Sequence, residues 1–289
     1  MEIAVISGKG GTGKSSISAA FATLSDKVIL ADCDVDAANL YILFNPTHEE
    51  EQIYIGGQKA IIDYSKCYNC GLCVSYCRFD AISFVNSKVT ISEVSCDGCK
   101  LCSRICPANA ISMVNSDKSL MYTGTFRNGK MVYGRLAPGE ENSGKLVNMV
   151  RDKAKTIAEA ENIETIIIDG PPGIGCPVIS TITGVEHVVI VTEPSMSGLN
   201  DLQRTIEICS KFNLTTWVII NKCDLNPEIS NKIQEFCLSH NINFLCRLPF
   251  DPEVVKAMIN KKTIPEYMPD YEINKLLKNA LNIIMNYGR

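Results

Sequence analysis

Short runs of consecutive apolar residues recur along the chain at Ile3–Ile6, Val28–Ala31, Ile166–Ile168, His187–Val191, Trp217–Ile220 and Asn243–Leu248. Each reads as a strand, and the first and the Ile166 run, lacking alternation, as strands buried on both faces. Helical patterns lie between them, from Ser16 to Leu24, Leu146 to about Ala160, and at about 199–212, 227–239 and 252–260. Strand alternating with helix predicts an α/β fold. A last stripe, Ile273, Leu276, Leu277, Ala280, Leu281 and Ile284, predicts an amphipathic helix. With only Lys275 and Lys278 inside it, that helix is poor in the basic charge a membrane surface attracts, so it is expected to pack on the sheet.

From 58 to 116 this rhythm breaks. Cys67-x-x-Cys70-x-x-Cys73-x-x-x-Cys77 recurs as Cys96-x-x-Cys99-x-x-Cys102-x-x-x-Cys106-Pro107 after a shift of 29 residues, and Ala81-Ile82-Ser83 recurs as Ala110-Ile111-Ser112 at the same shift. The segment is an internal duplication. We read 58–116 as a small inserted domain, and 1–57 with 117–289 as the two parts of the α/β domain. Beyond it, Asn128-Gly129 between the alternating runs of Met121–Tyr133 predicts a hairpin. The turn Pro138–Lys145 then leads into a helix that Ser143 is positioned to cap.

A net charge of -4 with 21% charged residues gives no sign of a nucleic-acid surface. No apolar run approaches the ~20 residues of a membrane span, and the N-terminus enters a strand at once, so the expectation is a cytoplasmic protein without a stable membrane anchor. Fourteen cysteines are many for that compartment. The eight between Cys67 and Cys106 read as metal ligands rather than disulfides. Most of the scattered Cys33, Cys176, Cys209, Cys223, Cys237 and Cys246 read as buried thiols.

The chemistry begins at Gly8-Lys9-Gly10-Gly11-Thr12-Gly13-Lys14-Ser15, which fits G-x-x-x-x-G-K-[ST] between a strand and a helix. Such a loop points backbone N–H groups at phosphate oxygens and adds a helix dipole. Lys14 would neutralise the β- and γ-phosphates, and Ser15 would join the shell of a Mg2+ ion. Carboxylates follow at strand ends, in Asp32-Cys33-Asp34-Val35-Asp36 and in Asp169-Gly170-Pro171-Pro172-Gly173.

Lys9-Gly10-Gly11-Thr12-Gly13-Lys14-Ser15 resembles the deviant Walker A loop of the MinD, ParA, Mrp and nitrogenase iron-protein ATPases. The resemblance implies a mostly parallel P-loop NTPase sheet flanked by helices, and a nucleotide-sandwich dimer, with itself or a related ATPase, in which Lys9 reaches the partner's ATP. It implies that residues Gly8, Lys9, Gly10, Gly11, Thr12, Gly13, Lys14, Ser15 and Ser16 hold ATP or ADP, that Asp34 orients the attacking water, and that Asp169 with Ser15 holds Mg2+. Asn221, in Asn221-Lys222-Cys223-Asp224, would face adenine beside Pro249 and Asp251, without Asp224 establishing a guanine preference. Lys9, Lys14 and Asp34 would be the catalytic set.

The cysteine spacing is similar to that of bacterial two-cluster ferredoxins, which implies one 4Fe-4S cluster on Cys67, Cys70, Cys73 and Cys106, and another on Cys96, Cys99, Cys102 and Cys77. Arg78 after Cys77 departs from the usual proline. Two zinc sites are the alternative that single C-x-x-C pairs would allow, and the duplicated four-cysteine runs disfavour it. Cys176 falls where nitrogenase iron protein has a bridging ligand. With no cysteine between Cys106 and Cys176, two thiolates per dimer cannot hold a cube, and a packed small residue is expected. The whole resembles MinD-superfamily ATPases carrying an inserted α+β ferredoxin domain. It implies Mg-dependent ATP hydrolysis coupled to electron transfer toward a redox partner. The alternatives are Mrp-like assembly or carriage of clusters for a client protein and, third, MinD- or ParA-type positioning.

Overall fold

A computed structural model describes residues 1–140 and 143–287. Its strands, in chain order, are β1 (Glu2–Ser7), β2 (Val28–Asp32), β3 (Glu50–Tyr54), β4 (Gln58–Ile62), β5 (Ile82–Val85), β6 (Lys88–Ile91), β7 (Ile111–Asn115), β8 (Ser119–Phe126), β9 (Gly129–Arg135), β10 (Ile166–Pro172), β11 (His187–Thr192), β12 (Thr215–Asn221) and β13 (Asn243–Leu248). Nine form one sheet in the order β13-β12-β11-β1-β10-β2-β9-β8-β3. It is parallel from β13 through β9, while β8 runs antiparallel to both β9 and β3.

All six residues of β1 are buried, because helices cover both faces. Ala4 and Ile6 point into one apolar layer with Leu146, Val150 and Leu202. Ile3 and Val5 point into the other with Ile17, Phe21 and Leu277. Full burial of such a side chain contributes about 1.5–3 kcal/mol, and the period-two alternation secures each strand's register. The C-terminal helix Glu272–Met285 buries Ile273, Leu277, Ala280, Leu281 and Ile284 in the second layer, so the apolar stripe is core. No helix among the described residues is long and apolar enough to cross a membrane.

The expected hairpin forms, turning at Arg127-Asn128, and its return strand β9 enters the main sheet beside β2. Ser143 lies inside the helix Ser143–Glu161, so the cap position falls outside the described residues. Edge strand β3 escaped notice because four of its five residues, Glu50–Ile53, are exposed and carry no apolar alternation.

β3 and β8 are antiparallel neighbours with Tyr54 opposite Ser119, so the chain between these two residues leaves and re-enters the sheet at one place. Within it, β4 pairs with β7 and β5 with β6. The sequence duplication persists in the backbone. Asp63 N–H donates to the Ala110 carbonyl at 2.7 Å, and 29 residues on Ser92 N–H donates to Ala81 at 2.7 Å. Left-handed residues recur likewise, Asn69 with Gly98, Gly71 with Lys100 and Asp80 with Asn109. At Gly98 a side chain is excluded, since a Cβ would lie 2.2 Å from the Gln58 carbonyl oxygen.

Candidate functional site

The loop 8–13 leaves the central strand β1 at its C-terminal end, where the neighbouring strand β10 and, beyond it, β2 deliver Asp169 and Asp32 in register with each other. Gly13, at φ +92°, turns the loop into the helix Lys14–Leu24 and passes so close to Asn221 that a Cβ would sit 2.2 Å from its Nδ2. Lys14 Nζ lies 3.0 Å from Asp169 Oδ1 and 3.7 Å from Asp34 Oδ2. Ser15 Oγ donates to Asp169 Oδ2 at 2.7 Å. Four residues assigned to catalysis or Mg2+ thus converge on one point.

Burial alone would lower the Lys14 pKa, but Asp169 and Asp34 outweigh it and raise it. Asp34 is itself raised, chiefly by burial and against the pull of Lys14. The Thr12 hydroxyl is buried in the loop without a partner among the described residues, a donor available to a phosphate oxygen.

Two supporting residues carried no motif of their own. Asp32 accepts the N–H groups of Asp34, Asn39 and Leu40, each at 3.2 Å, and so shapes the segment that presents Asp34. Burial and then Asp169 push its pKa up to about 7, against Lys14. Ser18 Oγ donates to Asp169 Oδ1 at 2.7 Å. The carboxylate at the end of β2 was the available signal for Asp32; Ser18 gave none.

Lys9 is held within its own chain, its Nζ 2.7 Å from Glu193 and 3.1 and 3.0 Å from the hydroxyls of Ser195 and Ser197. Glu193 also binds Lys222, whose Nζ donates to the Gly11 carbonyl at 2.8 Å. Burial pushes Glu193 up, yet the two lysines more than offset this and lower it.

Beside Gly11, Gly13 and Ser16 opens a mostly apolar cleft of about 280 Å³, lined by Leu248, Pro249, Phe250, Val254 and Leu277 with Asn221 at its phosphate-loop end. Its apolar walls suit a flat base. Asn221 Nδ2 donates to the Thr12 carbonyl at 2.8 Å, tying the base side to the phosphate side. Asp224 accepts Phe250 N–H at 2.6 Å, so it braces the cleft wall. Asp251 caps the helix Pro252–Ile259 and accepts the Tyr271 hydroxyl, which makes it a support of the cleft it lines.

The eight clustered cysteines divide between two small cavities of about 20 Å³ each. Cys67, Cys70, Cys73 and Cys106 line one, and Cys77, Cys96, Cys99 and Cys102 line the other. No group of His, Cys, Asp or Glu among the described residues is arranged to hold a single metal ion. Burial, then the neighbouring Cys96, pushes the Cys102 thiol up to about 11. Cys106 Sγ accepts Ala110 N–H at 3.3 Å. Among the scattered cysteines, Cys33, Cys209 and Cys237 are buried and Cys223 and Cys246 partly so. Cys176 is exposed at the start of its helix, not packed as expected.

Residues 3–264 match the family described as CobQ/CobB/MinD/ParA nucleotide binding domain. The chain belongs to this family. It is a MinD/ParA-type P-loop ATPase, and the family resemblance drawn from the loop and carboxylates holds over most of its length. An uncharacterized protein of Methanocaldococcus jannaschii is 39% identical over 267 residues, covering 90% of this chain and 88% of the relative. An iron-sulfur cluster carrier protein of Aquifex aeolicus is 24% identical over 135 residues, covering 43% of this chain and 37% of the carrier. Among solved structures, MinD of Pyrococcus horikoshii complexed with Mg-ADP shares the fold, with a TM-score of 0.56 at 17% identity and coverage of 99% and 96%.

Proposed function

We propose that the protein is an Mg-dependent, ATP-hydrolysing dimeric switch whose nucleotide state is coupled to two 4Fe-4S clusters, for electron transfer to a redox partner. On this reading 58–116 is an inserted ferredoxin-like domain within the ATPase of 1–57 and 117–289. The observation that carries it is the division of eight cysteines into two cavities in sets of four, each set taking three from one run and one from the other. Cysteines that surround a cavity, without converging on a point, fit a cube with one thiolate per iron better than a single zinc ion. When bound, such clusters supply one-electron storage.

On the ATPase side, Lys14 would exchange its carboxylate partners for β- and γ-phosphate oxygens as Mg2+ takes over Ser15 and Asp169. Asp34, freed from Lys14, would orient water. Lys9 would leave Glu193 to reach a partner's nucleotide. Developing phosphoryl charge is thus met by two lysines and the loop N–H groups. Carriage of clusters, the second reading, draws on the partial similarity to the Aquifex carrier. That similarity covers 43% of this chain, and the division of all eight cysteines into two sets of four favours electron transfer over release.

Anaerobic purification should give about eight irons per chain. Cluster potentials and reduced-state paramagnetic spectra are then recorded without nucleotide, with MgADP and with a non-hydrolysable ATP analogue. A change confined to the ATP state supports coupling. Identical readings in all three states overturn it.

A further inference from the structure

The two halves of the duplication differ at one charged position. Lys59 in β4 and Lys88 in β6 are related by the 29-residue shift, yet Lys88 is exposed whereas Lys59 is only 6% exposed. Lys59 Nζ donates to the Cys96 carbonyl at 2.8 Å and to the Gly139 carbonyl at 2.5 Å, with Glu140 Oε1 at 3.9 Å. Gly139 belongs to the connection that follows β9 and is wedged against the cysteine-rich segment. At φ +75°, its Cβ would lie 2.3 Å from the Val94 carbonyl oxygen. Three residues earlier, Leu136 N–H donates at 2.9 Å to the carbonyl of Val35, the neighbour of Asp34. Ala137 N–H is anchored on Ser119 Oγ at 3.0 Å.

We propose that Lys59 is the positioning residue through which the ATPase acts on one cysteine set, that of Cys96, Cys99, Cys102 and Cys77, leaving the other set unaffected. This rests on the two-cluster reading above. A buried ammonium beside the backbone of one ligand stabilises the more negative, reduced form of whatever that set holds, and so raises its potential. The same ammonium grips a loop tied to Val35, so displacement of the Asp34 segment by nucleotide is transmitted to Cys96. Cys67 has in the corresponding place only the exposed Lys88.

The test titrates the potentials of the anaerobic full-length protein in four forms: wild type, Lys59→Met, Lys59→Arg and Lys88→Met. Lys59→Met should lower one potential and leave the other in place, by up to a tenfold change in the reduction equilibrium, which is 59 mV for one electron. Lys59→Arg should restore it, and Lys88→Met should move neither. A Lys59→Met change that shifts both potentials equally or neither, or a Lys88→Met shift of the same size, overturns the proposal. A measurement on the wild type alone guards against a variant that folds poorly. A non-hydrolysable ATP analogue with Mg2+ should move one potential only, and movement of both overturns the proposal. Wild type lacking iron-sulfur spectra would sink the two-cluster reading and this inference together, whereas intact clusters indifferent to Lys59 would sink this inference alone.

Discussion

Midway along β10, fully buried Asp169 has three donors within 3.0 Å, while Cys70 and Cys99 reach the surface beside cavities lined by other thiols. The nucleotide site is electrostatically compensated by its own residues and seated on the sheet. The cysteine-rich segment has one cluster of seven buried apolar residues, two of them cysteine, among the described residues. So small a core contributes little folding energy. On the two-cluster reading, the contrast teaches that the first region can fold empty, whereas the second depends on what its cysteines bind.

Iron removal by an anaerobic chelator gives the largest expected effect. Ligand bonds in structural thiolate sites contribute on the order of 10 kcal/mol to folding. Hydrogen exchange should therefore lose protection across 58–115 while β1, β10 and β11 stay protected; equal loss in both regions would break the comparison. Conversely, Lys14→Ala should slow ATP hydrolysis roughly 10²–10³-fold, as removal of a transition-state charge does, with iron content unchanged.

Titration sharpens the account of the nucleotide site. Asp32 has a folded pKa raised to about 7, so it favours folding while protonated. That contribution is complete below its unfolded value near 4 and is lost as pH rises through about 7. In nucleotide-free protein, the stability of Asp32→Asn relative to wild type should improve between those pH values, by an amount on the order of a few kcal/mol at most. A difference independent of pH in denaturant melts would contradict a buried, charge-crowded Asp32. The smallest effect belongs to Asp224→Ala, which removes the brace on Phe250 N–H. A net loss of about 1 kcal/mol predicts roughly fivefold weaker nucleotide binding by calorimetry, with ATP still preferred over GTP.

Much of this was legible because backbone chemistry dictates it. The phosphate loop needs its glycines, and a carboxylate at a parallel strand's end must face the ligand edge. The 29-residue shift carries over into paired hydrogen bonds and left-handed residues. What stayed hidden depends on tertiary neighbours. Glu193, just after β11, holds Lys9, and Lys59 looks like any strand lysine until the loop at Gly139 closes over it. Strand β3 gave no apolar signal, since at the sheet's edge most of its side chains face water.

The pairing of Tyr54 with Ser119 makes everything between them, topologically, one oversized hairpin loop. Closing a loop of roughly 60 residues in place of a four-residue turn costs only about 2 kcal/mol of chain entropy. The sheet could therefore acquire, exchange or lose its cysteine-rich insert by a single excursion at one edge, without re-threading any strand that carries the phosphate loop or its carboxylates.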